Sequence, residues 1–318
     1  MINRWKIPIC VWALILLGHQ SNAGEAEDRI AEYLAHQSQV ESCMSVLIYR
    51  AAMEEFTDAS LDERISLTDV IQRLIICKDT NEERFDAMQK SVDGSVSKEA
   101  QVIAGGECLY WTSVQPLMEI RRIEMKNGRP MRGTRSRRLN PFALPVSTSS
   151  IVMTELTDLN VFHGKLQVIE EFELKDGRYR VYFVGNDWGD KGACEVTFAK
   201  EPQWAPVEFK MYFRMSAPKP SGKLSGDIIR NWKLLYSTTT QWQQIDYESD
   251  WLPSSVIMES DDVFIDHIEF TLTDWKLGKK VDRSPLQKSE FTPEKIPQQI
   301  DFDSVAIAFE KIRAKRNK

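Results

Sequence analysis

The sequence predicts a single-domain α+β protein that is predominantly antiparallel sheet, and three observations predict it. Val207, Phe209, Met211, Phe213 and Met215 alternate with Glu208, Lys210, Tyr212 and Arg214 without a break. That period of two belongs to a strand with one face on apolar material and the other in water. Two dipeptides suited to tight hairpin turns, Gly105-Gly106 and Asp176-Gly177, each stand between β-forming runs. Helical periodicity is concentrated toward the two ends of the chain.

Taken in order, the first element is a leader. Arg4 and Lys6 precede the apolar run Ile7 to Leu17, and Ser21-Asn22-Ala23 supplies small residues for cleavage. Residues 1–23 therefore read as a secretory signal peptide, too short and wrongly flanked for a membrane span. No later stretch is apolar enough to span, so an exported soluble chain is expected, in a periplasm or outside the cell. Between Glu25 and Val40, Ile30, Tyr33 and Leu34 share one face at 3.6-residue spacing, with Gln37 near it. Cys43–Met53, Val70–Cys77 and the weaker Arg84–Lys90 look extended, with helix as an alternative over 53–78. Gln101–Ala104 and Glu107–Thr112 flank the Gly105-Gly106 turn.

Arg121–Pro145 holds several prolines and glycines and ends in Pro141-Phe142-Ala143-Leu144-Pro145, which predicts a long crossing loop. A short helix over Ser149–Leu156 follows. Leu166, Val168, Phe172 and Leu174 then lie on one parity, broken once at Ile169-Glu170, and Tyr179, Val181 and Phe183 return after Asp176-Gly177. Further strands are expected at Ile228–Tyr236, Thr240–Tyr247, Ser255–Ser260 and Val263–Leu277. Val305, Ala308, Phe309 and Ile312 share a face of a closing helix, so residues 24–300 form the sheet domain and 301–318 a helical basic tail.

Composition excludes some functions. With 41 basic against 47 acidic residues the formal charge is −6, and loss of the leader makes it more negative. An acidic chain makes a poor general nucleic-acid binder, because phosphate neutralisation needs a basic field. Among His36, His163 and His267 no metal-ligand spacing occurs, and neither a G-x-S-x-G elbow nor a glycine-rich phosphate loop is present. The pairs Asp261-Asp262 and Glu170-Glu171 read as turn or strand-surface features. No catalytic group, metal or cofactor is expected, and a secreted hydrolase ranks last among the functions considered. Cys43, Cys77, Cys108 and Cys194 remain after the leader; an oxidising compartment predicts at least one disulfide among them, with connectivity open and buried thiols as the alternative.

Two features invite a binding role and have a plainer reading beside it. Arg129, Arg132, Arg135, Arg137 and Arg138 make a basic loop suited to an anionic partner, although such a run is more often a solvated face. The tryptophans beside the strands suit an apolar cleft or a large sheet core equally. Tyr247-Glu-Ser-Asp-Trp251-Leu-Pro253-Ser-Ser-Val256 reads as strand punctuation, with Pro253 at a strand start and Trp251 as a packing anchor.

The order of helix, long meander, Pro-Phe-x-Leu-Pro crossing loop, Trp251-Leu252-Pro253 and a late Trp275 strand resembles the lipoprotein-carrier superfamily of LolA, LolB and LppX type over roughly residues 25–295. The resemblance implies a half-barrel, a strongly curved antiparallel sheet around helices, whose concave face takes acyl chains. On that basis Phe209, Met211, Phe213, Ile268, Phe270 and Leu272 are expected to line a site for a lipid or lipoprotein acyl chain. No residue of the carriers maps onto one here, and the basic loop and C-terminal extension depart from their compact pattern. The resulting expectation is a non-enzymatic envelope protein that binds a hydrophobic ligand. The alternative is a structural or interaction module for another envelope protein, its core filled by its own side chains.

Overall fold

The computed structural model describes residues 25–39, 42–54, 65–77, 79–90, 94–114, 119–126, 129–130, 144–146, 166–185, 191–201, 204–214, 223–245, 251–260, 267–300 and 302. The segments expected to be a signal peptide (1–23), a helix at 149–156 and a closing helix from 303 onward, together with His163, Trp188 and Asp261-Asp262, lie outside them. Helix α1 spans Glu25–Gln39, and the strands begin with β1 (Ser42–Glu54), β2 (Ile65–Cys77), β3 (Glu82–Lys90), β4 (Val96–Ala104), β5 (Glu107–Thr112) and β6 (Arg121–Ile123). A two-residue ladder, β7 (Met125–Lys126) with β8 (Arg129–Pro130), stands apart. Then come β9 (Leu166–Glu173), β10 (Tyr179–Gly185), β11 (Gly192–Ala199), β12 (Ala205–Phe213), α2 (Gly226–Arg230), β13 (Lys233–Gln244), β14 (Trp251–Ser260), β15 (His267–Leu277) and α3 (Ile296–Gln299).

Thirteen strands form one antiparallel sheet in the order β6-β5-β4-β3-β2-β1-β15-β14-β13-β12-β11-β10-β9. Two meanders are thus joined by pairing of β1 with β15, Tyr49 opposite Phe270. Among the described residues the sheet stays open between β6 and β9, and it curves into a half-barrel. Its hairpins form where the turn chemistry predicts: Gly105, Gly106 and Gly177 all have positive φ.

Packing separates the two faces. A continuous apolar cluster draws Val70, Val181, Phe183, Val196, Phe198, Phe209, Val256, Ile268 and Phe270 around Ala26 and Tyr33 of α1 and Leu144 and Val146 of a 3₁₀ turn. One short helix and one turn reach side chains from β2 to β10 only where strands wrap inward, so this is the concave face. The opposite face is covered in separate patches. The segment after β15 lays Phe291, Ile296, Ile300 and Phe302 over Ile71, Met88, Val102 and Trp111, and Val281 and Leu286 over Ile75 and Cys77. At the far end Ile229 of α2 packs on Tyr182, Ala193 and Tyr212.

The C-terminal strap is fixed by a buried charge cluster. Arg84 and Asp86 are both fully buried, and Arg84 Nε donates to Asp86 Oδ1 at 2.8 Å. Arg73 Nε donates to the other carboxylate oxygen at 3.0 Å. The remaining guanidinium donors grip the strap: Arg84 donates to Pro285 O at 3.0 Å and Gln299 Oε1 at 2.8 Å, and Arg73 to Gln299 O at 3.2 Å. Arg84 also stacks over Phe291 and Arg73 over Phe302.

Several boundaries differ from the sequence expectation, each for a local reason. The extended reading of Val70–Cys77 holds over the helical alternative, and the strand starts earlier, at Ile65, because β2 pairs along its whole length with β1 and from Asp69 onward with β3. Gly192–Ala199 is a strand that periodicity does not reveal, being buried on both faces. Ile228–Tyr236 divides: residues 226–230 turn as α2, and β13 then runs unbroken from Lys233 to Gln244, carried by Ser237-Thr-Thr-Thr240. β14 begins at Trp251, and Pro253 sits at a bulge whose extra residue, Ser254, donates its hydroxyl to Gln241 O.

Candidate functional site: the concave face

Single-residue bulges decide which side chains reach the concave face. The break in alternation at Ile169 is a real bulge in β9, since Val168 pairs with Phe183 and Glu170 with Tyr182. It moves Phe172 to the convex face, where its ring stacks on Tyr182 at 6.3 Å, and leaves Leu166 and Val168 inside. The common parity expected for Leu166, Val168 and Phe172 is thereby corrected. Glu170 and Glu171 consequently point to opposite faces. Glu171 Oε2 accepts the Ala26 N–H at the start of α1 at 2.7 Å, and Glu170 Oε2 accepts the Gly226 N–H at the start of α2 at 2.7 Å. Each carboxylate satisfies an otherwise orphaned donor at a helix N-terminus. Asp274, at φ 53, marks a comparable bulge in β15 that turns Trp275 inward. Val207 is itself a bulge residue, so the alternation of β12 is structural only from Phe209 onward.

The six residues expected to line a ligand site divide as follows. Phe209, Met211, Ile268, Phe270 and Leu272 are all buried in the concave cluster. Phe213 has the same parity but is half-buried and stands outside that cluster. They are covered by the chain's own parts. Tyr33 of α1 meets Trp242 edge to face at 6.2 Å, Arg29 lies 3.7 Å over the Trp204 ring, and Thr238 donates to Pro145 O at 2.8 Å. The end of the predicted crossing loop is thus a buried plug. Burial pushes the Tyr33 and Tyr236 hydroxyls and the Cys194 thiol upward from their usual pKa ranges. Cys194 Sγ donates to Met211 Sδ at 3.2 Å.

The concave face changes character toward its β5 side. There Gln72, Gln101, Tyr110 and Thr112 are buried polar residues, with Cys108 beside them and Leu74 and Phe85 between. Gln101 lies opposite Tyr110, and its Nε2 donates to Cys108 Sγ at 3.2 Å. Burial raises the Cys108 thiol to about 11 against this hydrogen bond. Sequence periodicity missed Gln101, Leu144, Val146 and Glu171; only the parity break at Ile169-Glu170 hinted at the last of them.

Other expected site residues behave differently. Cys77, Cys108 and Cys194 are buried free thiols, so the disulfide expected on compartment grounds is not made by them. Cys77 faces the C-terminal strap, Cys108 lies on β5 and Cys194 on β11, with several strands at about 4.8 Å each separating them. Cys43 lies in β1 opposite Ile76 and Leu277. Of the basic loop, Arg129 falls in the β7–β8 ladder, while Arg132, Arg135, Arg137 and Arg138 are outside the described residues. Arg122 pairs with Glu107 at 3.0 Å on an exposed surface. Among the described residues no group of His, Cys, Asp and Glu is arranged to hold a metal, and no helix is long and apolar enough to cross a membrane.

No protein-family model matches the chain, and no curated protein matches it. Solved structures do. A Vibrio parahaemolyticus domain, named for a proposed role in outer membrane lipoprotein sorting, aligns at 10% identity and TM-score 0.45, covering 83% of this chain and 98% of its own. A LolA superfamily protein from Nitrosomonas europaea aligns at 12% identity and TM-score 0.44, over 85% of this chain and 100% of its own. A β-barrel-like protein of a domain of unknown function from Brucella abortus aligns at 9% identity and TM-score 0.28, over 76% and 99%. The chain is similar to LolA superfamily structures.

Proposed function

We propose that the protein is an exported envelope protein that holds a lipid or another hydrophobic ligand against the concave face of its sheet. One observation carries this reading: the apolar wall of β10 to β15 is one continuous surface, closed by a short helix and a three-residue turn. A cover attached at Glu171, Trp204, Trp242 and Thr238 is separable from the wall, whereas interlocked strands would not be. Helix α1 and residues 144–146 stand where acyl chains would lie. Shape and apolar contact do the binding, with Phe209, Met211, Ile268, Phe270 and Leu272 in the wall and Phe213 at its margin.

The test is organic extraction of protein purified from producing cells, followed by mass spectrometry. Lipid at near-stoichiometric amount is expected, and its uptake should speed amide exchange across residues 25–39. A lipid-free extract together with no saturable uptake of a fluorescent fatty acid overturns the proposal. That result would favour the second reading, a non-catalytic interaction module, whose supporting observation is that five of the six wall residues are already buried by the chain itself.

A further inference from the structure

We infer that the β4–β5 end of the concave face is a head-group subsite, selecting amphiphiles that carry a hydroxyl; this rests on the ligand reading above. Two rows cross that wall in register. Leu74, Phe85, Gln101 and Tyr110 form one, and Gln72, Ala87, Glu99 and Thr112 the next. The apolar cluster across β10 to β15 carries hydroxyls at Tyr179, Tyr236, Thr238 and Thr240, but among the described residues the two buried side-chain amides of this face, Gln72 and Gln101, stand at its β2–β4 end. A concave surface with an apolar stretch and a polar end matches a molecule of the same asymmetry.

Gln101 supplies the second observation. It is 1% exposed, and its Oε1 has no hydrogen-bond partner. Leaving a buried amide atom unanswered costs about 1–3 kcal/mol, so such an atom needs an explanation in a native fold. Its other amide atom meets Cys108 Sγ at 3.2 Å. The two orientations of a glutamine amide exchange its oxygen and nitrogen, and in either one the atom away from Cys108 is the unanswered one. A hydroxyl, donor and acceptor at once, answers both orientations, whereas an ester oxygen or a hydrocarbon cannot. The apolar wall carries another such atom, Thr240 Oγ1 on β13.

The experiment compares 1-monopalmitoylglycerol with methyl palmitate as displacers of a fluorescent fatty acid from the full chain, in wild type and in Gln101→Met. Wild type should bind the glyceride about tenfold more tightly than the ester. Gln101→Met should remove that preference while leaving ester affinity within twofold. Equal binding of the two displacers by wild type would mean that Gln101 is answered by a buried water only, which overturns the subsite and leaves the ligand reading standing. Failure of both to displace the probe overturns both. The wild-type ratio needs no variant, so the inference stays testable even if Gln101→Met folds poorly.

Discussion

At the scale of single residues, the most consequential group is the Arg73–Asp86–Arg84 cluster. Asp86 bridges two guanidinium groups beneath the strap, and both of its oxygens are engaged. Removing one member of a buried pair strands the others. Asp86→Ala is therefore expected to lower unfolding free energy by about 3–5 kcal/mol in urea titration. Replacing all three residues by apolar ones of similar volume should cost far less. The thiols give a pH prediction. Cys108 ordinarily titrates near 9.0 and is raised to about 11 by burial, so between those values the unfolded chain has lost a proton that the native chain retains. Fewer protons on the unfolded state mean that stability is full below about pH 9 and falls as pH rises toward 11. Tyr182, raised to about 12 chiefly by burial, extends the same trend upward. Urea midpoints measured from pH 8 to 11 should decline, and Cys108→Ala should flatten the lower part of that decline.

At the scale of elements, bulges and helix starts hold the architecture together. Glu171→Ala removes the carboxylate from the α1 N-terminus and should destabilise that helix by about 1 kcal/mol. The expected readout is roughly fivefold faster amide exchange over residues 25–35, with β10 to β12 unchanged. Gly226→Ala tests the other helix: an added Cβ would lie 2.6 Å from Tyr182 Cε2 and 2.9 Å from Glu170 Oε2. Overpacking of that kind costs about 1–3 kcal/mol and should appear as a lowered Tm. These elements were unequally legible in the sequence. Hairpins announced by Gly105-Gly106 and Asp176-Gly177 formed as expected, because their signal is local backbone chemistry. β11 was not legible, since a strand buried on both faces loses its alternation. The short α2 was hidden in a run that continues into β13.

At the scale of the whole molecule, predominance of antiparallel sheet followed from patterning alone, while the cover of each face did not. Periodicity tells that Phe209 and Phe270 are inside, but not whether a ligand, a helix or a loop end meets them. Leu144-Pro145-Val146 is the clearest case, since the prolines and glycines leading up to it argued for a long crossing loop and its side chains are buried. The strap is another, as nothing in residues 281–302 announces that they lie over β2 to β5. Truncation after Lys280 should uncover Ile71, Met88, Val102 and Trp111 and leave Arg73 and Arg84 without their carbonyl partners. The expected outcome is strong binding of an anionic hydrophobic dye and a shift of the size-exclusion peak toward larger species; an unchanged, dye-silent chain would count against the strap as part of the core.

The pairing of β1 with β15 has a consequence for how the chain comes to be folded. Most of the described sequence lies between Tyr49 and Phe270, which stand side by side. Such a ladder closes late, because a long loop must be ordered before its contacts return anything. Until β15 arrives, β1 is an open edge on a nascent six-stranded sheet, with bare peptide groups that would pair with any extended neighbour. A chain made from its N-terminus onward would therefore spend its synthesis as a half-finished template, and its yield should depend on keeping that edge occupied until the last strand is present.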